Sequence, residues 1–294
     1  MIFSLEKIIT GHAGAIYDTI VDDSGFLFTT SADKFIARWN VESGEQDAFA
    51  IKLDNAAYSI CLINADKHLV IGSSKGNVHV IDLEQKQEIK NLAQHKSGVF
   101  SLCYNSKKSE FYATDADGYF SVWSAEDFSL KLILPLNCGK IRSMTLADEG
   151  ELVILSCQDG TTRILECNFY NEIVTLKSHR MGANVALVKN DILYTGGKDA
   201  YLRLWDWKSE KLIKEVPAHN YAVYDLIDMG NVLVSASFDK TVKVWEPESL
   251  EILQRIDVKS KGHTHTVNSL SKLNAEEFIS AGDDRKIKLW KKVE

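Results

Sequence analysis

The sequence predicts an all-β fold: a seven-bladed β-propeller of four-stranded antiparallel blades, closed by the N-terminal strand completing the last blade. The first observation is a hairpin. Val232 to Trp245 reads VLVSASFDKTVKVW, an alternating strand, a tight polar turn at Asp239 and Lys240, and a second strand ending on Trp245. Alternation on both sides of a short turn marks two paired strands. The second observation is its period. The turn position recurs at Asp33, Lys75, Asp117, Asp159, Asp199, Asp239 and Asp284, in steps of 42, 42, 42, 40, 40 and 45 residues. Six residues after each turn stands Trp39, Ile81, Trp123, Leu165, Trp205, Trp245 or Trp290. Such a unit cannot bury both of its faces alone, so repetition at this period implies a ring.

The third observation supplies the remaining strands. Five of the hairpins follow a strand introduced by a histidine: His12, His95, His179, His219 and His263. After each Trp position comes a polar turn and an outer strand, such as SEKLIKEV after Trp205 or EQKQEIKNL after Ile81. Each unit is therefore a meander of strands a to d. Only KKVE follows Trp290, so the last blade lacks its own outer strand. The segment IFSLEKIIT before His12 matches the outer strands that precede later histidines, such as EIVTLK. It is expected to close the ring, which removes an unpaired strand edge. Residues 1–294 are read as a single domain.

Composition bounds the function classes. Hydrophobic residues at 45% and charged residues at 26% describe a globular chain, and 3 prolines leave no Pro-rich linker. No apolar run is long enough to span a bilayer. The start, MIFSLEKIITGH, lacks a basic leading region and carries Glu6 in its apolar stretch, unlike a secretion signal. A net charge of −7 offers no general attraction to phosphate backbones, so no nucleic-acid partner is expected. The five cysteines show no CxxC pair and read as free buried thiols, which places the protein in a reducing, cytoplasmic compartment.

The Gly11–His12 and Gly262–His263 pairs, the seven turns, the five Trp and Trp205–Asp206 together resemble the WD-repeat family across nearly the whole chain. That resemblance implies a hydrogen-bonded network in each blade, joining the histidine, the turn Asp, a Ser or Thr four residues before it, and the Trp. Four blades carry the full set: His12, Thr29, Asp33, Trp39; His179, Thr195, Asp199, Trp205; His219, Ser235, Asp239, Trp245; and His263, Ser280, Asp284, Trp290. The donor and acceptor inventories of these side chains allow every member to be satisfied. Blade 3 keeps His95, Asp117 and Trp123 but has Ala113 at the hydroxyl place. Blade 4 keeps Asp159, with Asn137, Leu155 and Leu165 at the other places, and blade 2 has Asp54, Ile71, Lys75 and Ile81. Four copies of His, Ser or Thr and Asp at fixed positions fit a repeated staple, not a hydrolase triad. His263 and His265 lack further ligands at metal spacing, so neither metal nor cofactor is expected.

The resemblance also implies a top face that takes peptides or proteins, at positions three and five after the histidine and one before the turn Asp. The candidates are Tyr17, Phe100, Lys140, Arg142, Asn184, Lys198, Tyr224, Phe238, Asn268 and Asp283. In blade 2 the counted positions are Ala57, Ser59 and Ser74. Aromatic and Arg side chains among small residues suit an interface centre. The blade 7 connection is longer, with 18 residues from Trp245 to His263 against 14 from Trp205 to His219, and would put Lys259 and Lys261 on the rim. The expected function is a non-enzymatic scaffold that binds an acidic or apolar motif of a partner protein, alone or within a larger complex. The alternative is a small-ligand binder or enzyme at the central channel mouth.

Overall fold

The turn chemistry appears in the backbone of every blade. The residue after the turn position is left-handed all seven times: Lys34, Gly76, Gly118, Gly160, Ala200, Lys240 and Arg285, with φ from 62° to 97°. The computed structural model describes residues 2–293. These form seven four-stranded antiparallel sheets, and in six of them spatial order follows chain order. The seventh is closed as expected: Ile2–Thr10 lies against Lys286–Val293, paired from Ile2 with Val293 to Thr10 with Lys286.

Burial follows from position in the blade. A second strand such as Leu152–Cys157 is buried at every residue, because both of its faces meet neighbouring blades. An outer strand such as Gln46–Lys52 is mostly exposed. The apolar side chains form seven clusters, each lying in a seam between two adjacent blades and shared by both. The position six after each turn always fills the seam toward the preceding blade, whether it is Trp39, Ile81 or Leu165. Gly11 is small for a related reason, since a Cβ there would fall 2.6 Å from the Trp39 ring.

The four expected networks are present. In blade 1 His12 Nδ1 meets Asp33 at 2.9 Å, its Nε2 meets Thr29 Oγ1 at 2.7 Å, and Trp39 Nε1 donates to that hydroxyl at 2.8 Å. Blades 5, 6 and 7 repeat the arrangement through Thr195, Ser235 and Ser280.

Blade 3 corrects the sequence reading, because its network is complete but built from other residues. His95 Nδ1 meets Asp115, not Asp117, at 2.8 Å, and its Nε2 meets Ser121 Oγ at 2.8 Å. Trp123 Nε1 donates to the same hydroxyl at 2.8 Å. Ser121 pairs directly across the ladder with Ala113, so the hydroxyl has crossed from one strand to its neighbour. Blade 2 needs a second correction. Counting back four residues from the first strand residue, as in every other blade, puts Leu53 rather than Asp54 at the histidine place. Leu53, Ile71 and Ile81 are buried in one seam, so the whole staple is replaced by apolar contact.

The longer blade 7 connection is a turn of 3-10 helix, Val258–Ser260, capped by the Asp257 side chain. Lys288 Nζ donates to the Lys261 and Gly262 carbonyls at 2.6 and 2.7 Å and ties it to the blade, while Lys259 and Lys261 are exposed.

The blade 3 network gives a first prediction. Ser121→Ala leaves His95 Nε2 and Trp123 Nε1 buried without partners and is expected to cost about 1–3 kcal/mol in urea unfolding. Asp117→Asn should cost little, and the double change Ala113→Ser with Ser121→Ala should recover most of the loss by restoring the arrangement of the other blades. An equal loss at Asp117 would refute this assignment.

Candidate binding site at the channel mouth

The innermost strands surround the axis: Ile16–Val21, Ala57–Ile63, Val99–Asn105, Ile141–Ala147, Ala183–Lys189, Val223–Asp228 and Val267–Lys272. In all seven the ladder to the next strand slips at the second residue. A bulge re-aims the side chain it carries. The seven slipped residues are Tyr17, Tyr58, Phe100, Arg142, Asn184, Tyr224 and Asn268, and all line one cavity of about 620 Å³ at the end of the channel where the turns emerge.

The rings form two arcs. Tyr17 meets Tyr58 edge-on at 5.2 Å, Tyr58 lies 4.9 Å from Phe100, and Lys140 Nζ sits 4.0 Å over the Phe100 ring. From blade 4, Arg142 passes blade 5 to stack its guanidinium 4.2 Å over Tyr224. Tyr224 touches Phe238, and Phe238 touches Tyr221 on the rim. Phe238 is 47% exposed and Tyr221 61%, so this arc continues as an open aromatic surface.

Polar side chains beside the bulges latch one blade to the next. Asp18 accepts from Ile60 N at 3.0 Å, Ser59 donates to Val99 O at 3.0 Å, and Ser101 accepts from Met144 N at 3.0 Å. Asn184 donates to Val223 O at 2.8 Å, Asp225 accepts from Leu270 N at 2.6 Å, and Asn268 donates to Ile16 O at 2.8 Å. Six seams are latched in this way. At the seam between blades 4 and 5 the equivalent Ser143 Oγ is buried without a partner, as is the Nε of adjacent Arg142.

Of the ten candidates from the sequence, Tyr17, Phe100, Arg142, Asn184, Tyr224, Phe238, Asn268 and Asp283 line the cavity together. Lys140 and Lys198 do not: Lys140 folds over Phe100, and Lys198 is exposed outside the lining. Tyr58 was missed, and the counted Ser59 serves a latch instead, because the count started at Asp54 rather than Leu53, which stands 14 residues after Trp39 just as His219 stands 14 after Trp205. The small or branched apolar residue that precedes every bulge (Ile16, Ala57, Val99, Ile141, Ala183, Val223, Val267) is the signal that locates it.

The two latch carboxylates were also not foreseen. Burial, and then the charge of Asp225, push the Asp18 carboxyl up to about 7, and burial raises Asp225 to about 6. Among the described residues no group of His, Cys, Asp and Glu could hold a metal ion.

These raised carboxyls give the second prediction. An unfolded aspartate titrates near 3.9, so the stability these groups contribute is full below that pH and is lost as pH rises through about 6 and 7. Asp18→Asn with Asp225→Asn keeps an oxygen to accept each backbone N–H and removes the titration. Its unfolding midpoint in urea should gain on that of the wild type between pH 5 and pH 8; parallel curves would sink the idea.

Comparison with known proteins agrees with this architecture. The model of the WD domain, G-beta repeat, matches residues 86–124, 210–246 and 255–291. The chain is 24% identical to WD repeat-containing protein 55 of Arabidopsis thaliana over 82% of this chain and 69% of that protein. It is 23% identical to human pre-mRNA-processing factor 17 over 82% of this chain and 44% of that protein. It is also 24% identical to human kinesin-like protein KIF21B over 91% of this chain and 18% of that protein. The chain thus spans less than half the length of the last two. WD40 propellers are commonly protein-interaction scaffolds. With the repeat model matched on three stretches and one plan repeated in all seven blades, the chain carries WD40 repeats within a seven-bladed propeller.

Proposed function

We propose that the protein is a non-enzymatic platform whose channel mouth binds a segment of a partner protein. The observation that carries this reading is the ring of bulges, which turns three tyrosines, a phenylalanine and an arginine toward one opening. Exposed Phe238 and Tyr221 extend that opening outward as an apolar landing surface. Aromatic and Arg groups of this kind supply the large terms in protein interfaces, and a rim of small residues excludes water around them. The names of the relatives include a pre-mRNA-processing factor and a kinesin-like protein, which supports a shared platform and leaves each partner to each protein.

An enzyme or small-ligand reading has one observation in its favour, the raised Asp18 and Asp225 carboxyls beside Arg142. It is the weaker reading, because the backbone N–H bonds from Ile60 and Leu270 already occupy those carboxylates as latches. A reducing, cytoplasmic setting is part of the proposal and is supported by five free thiols.

Site-specific photocrosslinking in cells of the native source tests the platform. A benzophenone side chain at Phe238 or Tyr221 should give a defined crosslinked partner, and the same group at Phe169, which is 80% exposed on the turn between the outer strands of blade 4, should not. Equal crosslinking at Phe169, or none at either mouth position, would reject a partner on this face.

A further inference from the structure

Blade 4 interrupts the mouth's own pattern. Six seams close a polar latch and the seam between blades 4 and 5 closes none, which leaves Ser143 Oγ and Arg142 Nε as buried polar atoms without partners. Two such atoms on adjacent residues, both lining one cavity, mark a place where a polar group is missing. The guanidinium rests on the Tyr224 ring rather than on a carboxylate.

We propose that this is the recognition point of the mouth: Arg142, with Ser143 beside it, takes one carboxylate side chain, Asp or Glu, from the partner segment, and an apolar residue of that segment lies on Phe238 and Tyr221. The proposal deepens the platform reading and rests on it. The charge balance argues for a carboxylate. A planar guanidinium grips a carboxylate through two parallel N–H bonds, and the bond is strongest where water is excluded. The continuous arc from Arg142 through Tyr224 and Phe238 to Tyr221 fixes where the neighbouring apolar residue goes. A phosphate dianion fits less well, because Asp18 and Asp225 lie near enough for their charges to act on Arg142 and would repel the second negative charge.

The same neighbours make capture proton-linked. The titratable and charged groups around the two carboxyls are Arg142 from blade 4, Asp283 from blade 7, the phenols of Tyr17, Tyr58 and Tyr224, and the Cys61 thiol. An anion placed on Arg142 cancels the positive charge that favours ionised Asp225 and adds a negative one beside Asp18. Both carboxyls then hold their protons more tightly, so binding takes up protons and strengthens as pH falls from 8 to 6.

The test uses the full chain, immobilised, and three fluorescent pools of short peptides. The pools are degenerate except for a central Glu, Gln or phosphoserine. Retention of the Glu pool should exceed that of the Gln pool by about tenfold, the size of one charge-assisted contact. Arg142→Gln should abolish the difference, and Arg142→Lys, which keeps the charge but not the fork, should lose most of it. Retention of the Glu pool should rise several-fold from pH 8 to pH 6 on the wild type and stay level on Asp18→Asn with Asp225→Asn, a readout that holds even if Arg142→Gln fails to fold. Equal retention of Glu and Gln pools, lost on Phe238→Ala, overturns the carboxylate site and leaves the platform standing. Preference for the phosphoserine pool overturns it in favour of a dianion. Retention of no pool overturns it together with segment binding at the mouth.

Discussion

No blade of this protein owns a core, and every other feature follows from that constraint. The seven apolar clusters lie in seams, so each blade is stable only between two neighbours, and the ring has to close. Closure falls to Ile2–Thr10, which completes the last sheet against Lys286–Val293. It is fastened on its other side as well. Phe3 N donates to Gln254 Oε1 at 2.7 Å, Gln254 Nε2 donates back to Phe3 O at 2.7 Å, and the Phe3 ring sits in the seam between blades 6 and 7 with Trp290. The strand thus covers the edge of Lys286–Val293, which would otherwise be open and bring the hazard of pairing with other chains.

Closing the ring sets the geometry of its centre. Seven innermost strands crowd the axis, and each carries a bulge at its second residue. Backbone pairing asks nothing of the side chain at that position except that it point into the mouth. The residue that follows is under more demand, because Asp18, Ser59, Ser101 and Asp225 hold adjacent blades together there. Identity at the bulges is therefore the free variable of the fold. Where the following residue cannot latch, as at Val185, the bulge residue Asn184 does so instead. Four bulges are aromatic and one is Arg142, choices that the latches do not explain.

The sequence made the fold legible because the periodic signals are local. A turn that needs a left-handed residue and a Trp or aliphatic side chain that fills a seam recur at nearly fixed spacing. The bulk of the mouth was legible for the same reason. What escaped were a substitution across the ladder, a histidine place held by an apolar residue, and latches between blades. Ser121 serves blade 3 from the strand opposite Ala113, and only pairing register reveals that the two positions face one another. Tyr58 was lost because apolar Leu53 gives no polar mark at the histidine place of blade 2, and a count from Asp54 falls on Ser59. Asp18 and Asp225 looked like ordinary strand residues, since their importance arises from blades that are distant in sequence and adjacent around the axis.

The same side chain is driven in opposite directions in two parts of the molecule. In the staples burial pushes the Asp199 and Asp239 carboxyls up, but His179 and His219, with backbone and side-chain donors, outweigh it and hold both well below the usual range. In the mouth burial wins for Asp18 and Asp225. The staples are closed systems in which each donor meets an acceptor, and they contribute to stability at neutral pH. The mouth is an open one: two carboxyls are held against their preference, and one arginine and one serine lack partners. A fold that completes its polar networks in five blades has the means to complete them at the axis. That it leaves Arg142 and Ser143 unsatisfied there, beside exposed Phe238 and Tyr221, is the pattern expected where a site surrenders some stability to a group that arrives from outside.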